Sequence, residues 1–318
     1  MLTPREVARA AAFTAGLVAV LGGLRGGLGY GARHVRRGDA GKISRVMGHA
    51  ADPELAIFGA SNAESGISPA LLERATGRTA ENLAVDGTGV AQYGALVREL
   101  LRYGRPGAHV ILVMSPFALA APALPTAPSW YYPHIGNPFV YEAMARFDAT
   151  TAWRARHVPF YDFVVYDHTY YRNAVEGLRA AFGAPLDDPD RGFTPRGLRW
   201  DERLDAAGQR PFPCVIEAET VAVYRSLLAA IEASGRKAFV VFPPVQADAI
   251  RLLPGMEELV GIFASFAPGD HYLDYHRDPM GTERRYFYNH THLNVEGAER
   301  FSTMLGSDLD RVLRSEAP

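Results

Sequence analysis

The sequence predicts a three-layer α/β fold, a parallel sheet of about five strands with helices on both faces. Three observations carry this expectation. Short continuous apolar runs recur, as expected of strands buried on both faces. Between them lie stretches with helical apolar spacing, several closed by glycine. The two alternate as strand–helix–strand–helix–strand, which is the pattern of a parallel sheet.

Residues 54–59, ELAIFG, read as the first strand. Ser68-Pro69 then offers a cap and a first-turn proline for the helix SPALLERATG, and Gly77 stops it. ENLAVDG, 81–87, reads as the second strand, and 88–104 as a helix again ended by glycine. AHVILVMSP, 108–116, is the clearest buried strand. The rhythm resumes with a helix over 218–235 and a strand over 237–244. A helical stretch follows to about residue 266, broken at Pro254-Gly255, then a short strand over 271–276. The closing helix spans 294–315, with Asn294 placed to cap it. Residues 117–215 interrupt the pattern and are rich in aromatic residues, among them Trp130, Tyr131, Tyr132, His134, Tyr166 and Tyr170. They read as one large insertion on the rim of the sheet, either lining a sugar or acyl cleft or forming an aromatic mini-core.

The N-terminus stands apart from this domain. Residues 10–24 are apolar, with Arg5 and Arg9 in front and Arg33, Arg36, Arg37 and Lys42 behind. Residues 1–28 therefore read as a signal or membrane anchor, and 29–50 as a flexible basic linker before a domain over 51–318. The preferred reading is an uncleaved anchor carrying an extracytoplasmic domain. A cleaved signal, or a helix leaving the domain in the cytoplasm, is the alternative, because the charge behind the run exceeds that in front.

The totals exclude several classes. A formal charge of −2 gives no basis for nucleic-acid binding. The single cysteine, Cys214, can form neither an intrachain disulfide nor a zinc cluster, and reads as a packed thiol. His271 and His276 are five apart and would face opposite sides of a strand, so they do not make a metal site. The turn GASNAESG has neither a dinucleotide fingerprint nor a P-loop, so no nucleotide cofactor is expected.

In an open parallel sheet, ligands bind beyond the carboxyl ends of the strands. Ser61, Gly87 and Ser115 fall there, and His292 precedes the last helix. A serine hydroxyl needs a base, and a tetrahedral intermediate needs donors for its oxyanion. These residue types point to acyl transfer. Read as blocks, Gly59-Ala60-Ser61-Asn62, Asn82-Leu83-Ala84-Val85-Asp86-Gly87 and Asn289-His290-Thr291-His292, followed by LNVEGAERFS, stand in the order seen in the SGNH, or GDSL-type, hydrolases. Over most of residues 54–310, excluding the insertion, the chain resembles that superfamily. The HLN-x-x-GA-x-x-F continuation is similar to membrane-anchored bacterial members that work on cell-envelope polymers, in D-alanylation of teichoic acid or O-acetylation of exopolysaccharide.

The resemblance implies a flavodoxin-like sheet and a serine esterase or O-acyltransferase that needs no metal or cofactor. It makes Ser61 the nucleophile, His292 the base, and the Gly87 and Ser61 N–H groups the oxyanion donors. An acylated glycan or small acyl ester would be the substrate, and a multi-pass membrane acyltransferase would fit as partner. The chain also departs from the pattern. Ala60 replaces an aspartate and Ala84 a glycine, and the asparagine oxyanion donor has no counterpart, leaving Asn62 or Ser115 as substitutes. Asn289 stands where an aspartate is expected. An amide can orient the histidine but supplies no charge, and the corresponding loss in a Ser-His-Asp protease costs about 10⁴ in turnover. The readings are a dyad oriented by Asn289, a substitute carboxylate (Asp274 or Asp86), or a degenerate protein that binds or helps assemble or export a surface polysaccharide.

Overall fold

The structure, a computed structural model of the chain, describes residues 3–121, 125–165, 167–183, 188–204 and 209–316. Five strands form one sheet: β1 (Leu55–Phe58), β2 (Ala80–Asn82), β3 (His109–Val113), β4 (Lys237–Phe242) and β5 (Tyr272–Asp274). Its order is β2-β1-β3-β4-β5 and every pairing is parallel. Ile57 lies opposite both Asn82 and Ile111, and Val240 opposite Leu112 and Tyr272. A separate antiparallel hairpin, β6 (Phe287–Asn289) with β7 (His292–Leu293), was not expected from the sequence.

The helices are α1 (Pro4–Ala32), α2 (Gly38–Met47), α3 (Ser61–Glu64), α4 (Pro69–Thr76), α5 (Val90–Tyr103), α6 (Pro138–His157), α7 (Asp162–Val165), α8 (His168–Phe182), α9 (Ala218–Ala233), α10 (Ala247–Ile250), α11 (Met256–Ala264) and α12 (Val295–Ser315). Side chains alternate across a strand, so a sheet covered on both sides needs apolar residues at every position. Ala56, Phe58, Val110, Leu112, Val240 and Phe242 meet α5, α9 and α11 on one face. Leu55, Ile57, Ile111, Val113, Phe239 and Val241 meet α4 and α12 on the other.

Both expected caps stand at their helix starts, but only one works through its side chain. The Asn294 carbonyl oxygen accepts from the Gly297 N–H at 3.0 Å. The Ser68 hydroxyl makes no capping bond; instead the Ser68 N–H donates to Ser302 Oγ at 2.8 Å, tying α4 to α12.

Residues 29–50 are not a flexible linker, which corrects the boundary drawn from the sequence. The first helix continues to Ala32, and α2 is built into the core, with Ile43 and Val46 fully buried. Lys42 is 3% exposed and pairs with Asp39 and Glu64, so it does not belong with the solvated charges behind the apolar run. The basic residues of this stretch hid an amphipathic helix whose apolar side is Ile43, Val46 and Met47.

With 29 residues, α1 is about 43 Å long, more than the roughly 30 Å of a bilayer's hydrocarbon core. It is long and apolar enough to be a membrane anchor or a signal sequence. Residues 3–20 are exposed throughout. Its last turns pack on α8, with Leu28 and Ala32 against Tyr170 and Ala174. The backbones cross at Gly31 and Gly177, where a Cβ on either would overlap a carbonyl of the other helix.

Of the aromatic residues between β3 and α9, Phe117 borders the cleft described below, but Trp130, Tyr131, Tyr132, His134 and Tyr170 do not. Tyr131 and Tyr132 are buried in the main core, with Trp130 packed against them. His134 is buried beside Ser44, and Tyr170 packs on α1. Tyr166 lies outside the described residues.

If α2 is part of the domain, Ile43→Ala creates a core cavity. The expected loss is about 2–5 kcal/mol in denaturant unfolding of the detergent-solubilised chain. A change under about 0.5 kcal/mol, the range of ordinary surface substitutions, would return residues 29–50 to a linker.

Candidate active site

Because all five strands run parallel, the segments leaving β1, β2 and β3 emerge on one rim. Ser61 follows β1 as the first residue of α3, and residues 83–87 follow β2. His292 opens β7, the return strand of the hairpin ahead of α12. The geometry brings these distant segments together: Ser61 Oγ lies 2.8 Å from His292 Nε2. The other ring nitrogen, Nδ1, lies 2.9 Å from Asn289 Oδ1.

The hairpin settles which nitrogen carries the proton. Asn289 Oδ1 also accepts from the backbone N–H groups of Thr291, at 3.0 Å, and His292, at 2.9 Å. Backbone N–H groups only donate, so the Asn289 atom facing them is its oxygen. That oxygen only accepts, so His292 Nδ1 carries a hydrogen and Nε2 turns a lone pair to the Ser61 hydroxyl. The amide therefore supplies the orientation and tautomer that a carboxylate would supply, without the charge.

Burial lowers the His292 pKa below the usual imidazole value, Arg196 adds to this, and the Asp86 charge opposes it. The ring is thus neutral, and basic at Nε2, near pH 7. Tyr288 covers one side, its ring centroid 5.4 Å from that of His292. Asp86 acts on His292 through space, without a hydrogen bond among the described residues. The suggestion of Asp274 as a substitute carboxylate is overturned, because its Oδ1 is engaged by His276 Nδ1 at 2.7 Å. Asp274 ends a short edge strand and turns to the histidine two residues on, which also donates its backbone N–H.

Gly87 is where a donor loop requires glycine. Its φ is +65°, and a Cβ would collide with the Thr126 side chain. Ser61 and Gly87 border the same cavity, and among the described residues neither backbone N–H donates to a protein acceptor. Asn62 and Ser115 also border it; Asn62 Oδ1 is buried without a partner among the described residues, while the Asn62 amide nitrogen and the Ser115 hydroxyl are engaged. Asn62 Nδ2 donates to the Met114 carbonyl at 2.6 Å, and Ser115 Oγ accepts from the Phe117 N–H at 3.3 Å. Asn62 therefore joins the nucleophile turn to the end of β3, while Ser115 shapes the turn that follows it.

Several supporting residues were not singled out from the sequence. Asn82 is fully buried and donates to the carbonyls of Ala63 and Ile67 at 2.8 and 2.9 Å, while its own oxygen accepts from the Ala84 N–H. It clamps the nucleophile segment to β2. Beneath the rim, Lys42 Nζ donates to the Ala84 carbonyl at 2.7 Å and pairs with Asp39 at 3.0 Å and Glu64 at 3.4 Å. Asp39 Oδ2 accepts from the Asp86 N–H at 3.3 Å, and Arg196 pairs with Glu64 at 3.2 Å. Segment 84–86, which leads into Gly87, is thus held by ions from α2. A block beginning with asparagine was the available signal for Asn82; Lys42 and Asp39 carried none, since their partners are distant in sequence.

A cavity of about 290 Å³ opens from Ser61, Gly87 and His292 between α5, α9 and residues 117–121. Cys214 is buried elsewhere, and its thiol pKa is raised by that burial. His271 bonds Glu316 at 2.7 Å. Among the described residues, no group of His, Cys, Asp and Glu is arranged to hold a metal ion.

Nitrogen-detected NMR of ring-labelled protein checks this arrangement without any substrate. The expected signals are an Nδ1–H tautomer for His292 and a titration midpoint below 6.5. An Nε2–H tautomer would show that Asn289 does not orient the ring. No protein-family model matches the chain, and a search of curated proteins returns no significant relative.

Proposed function

We propose that this protein is an SGNH-like serine esterase or O-acyltransferase, acting on acyl esters of a cell-envelope polysaccharide or related glycan. The observation that carries the proposal is the Ser61–His292–Asn289 relay, with its tautomer fixed, at the mouth of a cavity. The sheet is read as flavodoxin-like, with residues 117–215 as an insertion upon it. The first helix anchors the chain, the domain lies outside the cytoplasm, and a multi-pass membrane acyltransferase supplies acyl groups.

In the reaction, Ser61 Oγ attacks the ester carbonyl carbon as His292 Nε2 takes its proton. The carbonyl oxygen becomes an oxyanion facing the Ser61 and Gly87 N–H groups. The bond to the alkoxy oxygen breaks, and that oxygen leaves with the proton from His292. Water, or a glycan hydroxyl, then gives its proton to His292 and attacks the acyl-Ser61 ester. Collapse releases the acid or the new ester and returns the proton to Ser61.

The tautomer revises how much the missing charge should cost. In the protease comparison, the amide leaves the histidine in the wrong tautomer. Here the backbone turns the amide oxygen to the ring, so only the charge is lost. A hydrogen bond to an ionised group exceeds a neutral one by about 1–2 kcal/mol, or about 5–30-fold in rate.

Ser61→Ala is expected to abolish hydrolysis of acyl esters and labelling by a fluorophosphonate. Wild-type levels of both in the variant would sink the proposal. Asn289→Asp is expected to raise kcat/KM by about 5–30-fold. It should also move the acid limb of the pH profile upward, since a nearby negative charge raises the His292 pKa and the base must be unprotonated to act. The second reading, a binding protein that has lost catalysis, is favoured by the lack of a carboxylate on His292 among the described residues. It would be supported by glycan binding with no turnover in either wild type or Asn289→Asp.

A further inference from the structure

The cavity beside Ser61 differs in character from a sugar site. Its inner wall is built mainly from small and apolar side chains, including Val90, Ala91, Ala118, Ala120 and Val223. Apart from Asn62 Oδ1, which is buried without a partner among the described residues, the polar side chains along it are engaged by the protein. Thr220 Oγ1 donates to the Ala120 carbonyl at 3.0 Å, and Thr88 Oγ1 to the Val85 carbonyl at 2.7 Å. Gln92 Oε1 accepts from the Gly89 N–H at 2.9 Å. The buried Tyr93 and Tyr224 hydroxyls bond to each other. Arg146 of α6 also borders the cavity and is paired with Glu142 and Glu219. A sugar hydroxyl entering the slot would give up water for a wall whose donors and acceptors are mostly satisfied elsewhere, which costs free energy. An alkyl chain would give up nothing polar and would gain from burial.

Direction and size narrow the guest further. The leaving oxygen must lie beside His292 Nε2, on the hairpin side. Of the hairpin only Thr291 and His292 border the slot, whose remaining lining comes mainly from the Ser61 and Gly87 turns, residues 115–121, α5 and α9. It therefore faces the acyl part of the ester rather than the alcohol. At roughly 30 Å³ per water-sized group, 290 Å³ holds about ten such groups, far more than an acetyl needs.

Resting on the serine chemistry above, we propose that this slot selects a linear aliphatic acyl group of about four to eight carbons over acetyl. The glycan or other alcohol would lie outside it, along the hairpin.

The test uses the full chain in detergent and p-nitrophenyl esters from acetate to octanoate. For wild type, kcat/KM is expected to rise about three- to fourfold per methylene up to hexanoate. Ala118→Phe and, separately, Val223→Phe narrow the slot from two different segments. Either should lower the hexanoate-to-acetate ratio at least tenfold. Labelling by hexyl and methyl fluorophosphonates should follow the same order. Hydrolysis that depends on Ser61 but is flat or falling with chain length would overturn the slot and leave the esterase standing. So would a ratio that neither folded variant changes. If no ester is hydrolysed and Ser61 takes no phosphonate, the serine chemistry fails and the slot falls with it.

Discussion

The arrangement at the rim depends on one acceptor, the amide oxygen of Asn289. Two backbone N–H groups of the hairpin already point at it, and the imidazole of His292 adds a third. An amide that could rotate freely would present its NH₂ group to the ring about as readily and would reverse the tautomer. The tight connection between β6 and β7 removes that freedom, because its own N–H groups would be left facing a donor. Orientation of the base is therefore a property of local backbone geometry. It does not require a carboxylate, and the hairpin that provides it is joined directly to α12, whose apolar side is anchored against the sheet.

The Ser61 side is held differently. Ser61 and the Gly87 loop leave neighbouring strands, but a strand end does not by itself fix the segment beyond it. Asn82 fixes the first by bonding the carbonyls around α3, and the Lys42–Asp39 pair fixes the second through Ala84 and Asp86. Burying Lys42, Asp39 and Glu64 carries a desolvation cost that their attraction repays only in part, so a role in positioning explains them better than a role in stability. It also makes α2, which follows the apolar helix, part of the platform beneath the site.

Much of this was legible in the sequence because it is local. Buried strands announce themselves as apolar runs, so β1, β3 and β4 were placed within a few residues, whereas the strand read over 81–87 is only Ala80–Asn82 and its apolar residues 83–85 lie beyond it. The cap at Asn294 is a matter of immediate neighbours. The pairing of Ser61 with His292 came from resemblance and from the rule that parallel strands end on one rim. What was missed depends on partners far away in sequence. Lys42 looked like a solvated charge because Glu64 and Ala84 are invisible to it until the chain folds. Asp274 looked available because the sequence does not show that it turns to His276. The hairpin was missed because FYNHTHL mixes aromatic and polar residues in runs too short to show a period. The aromatic residues after β3 suggested a cleft, whereas bulky rings carry much apolar area and Tyr131 and Tyr132 fill the core, leaving Phe117 with several alanines and valines at the open space.

That last exchange bears on the chemistry. Under the proposed chemistry, a wall of small and apolar side chains would give an alkyl chain room, so one mouth could serve two kinds of group. The acyl chain would be drawn inward by burial, and the alcohol left at the hairpin, where the proton of His292 is needed. Hydrolysis and transfer then differ only in what occupies the hairpin side when the acyl-serine forms. Water reaches an open rim freely, so transfer would need the acceptor to be bound there already, at an effective concentration high enough to outcompete it. A protein tethered by its first helix beside its acceptor polymer would meet that need through location, with no change in the relay itself.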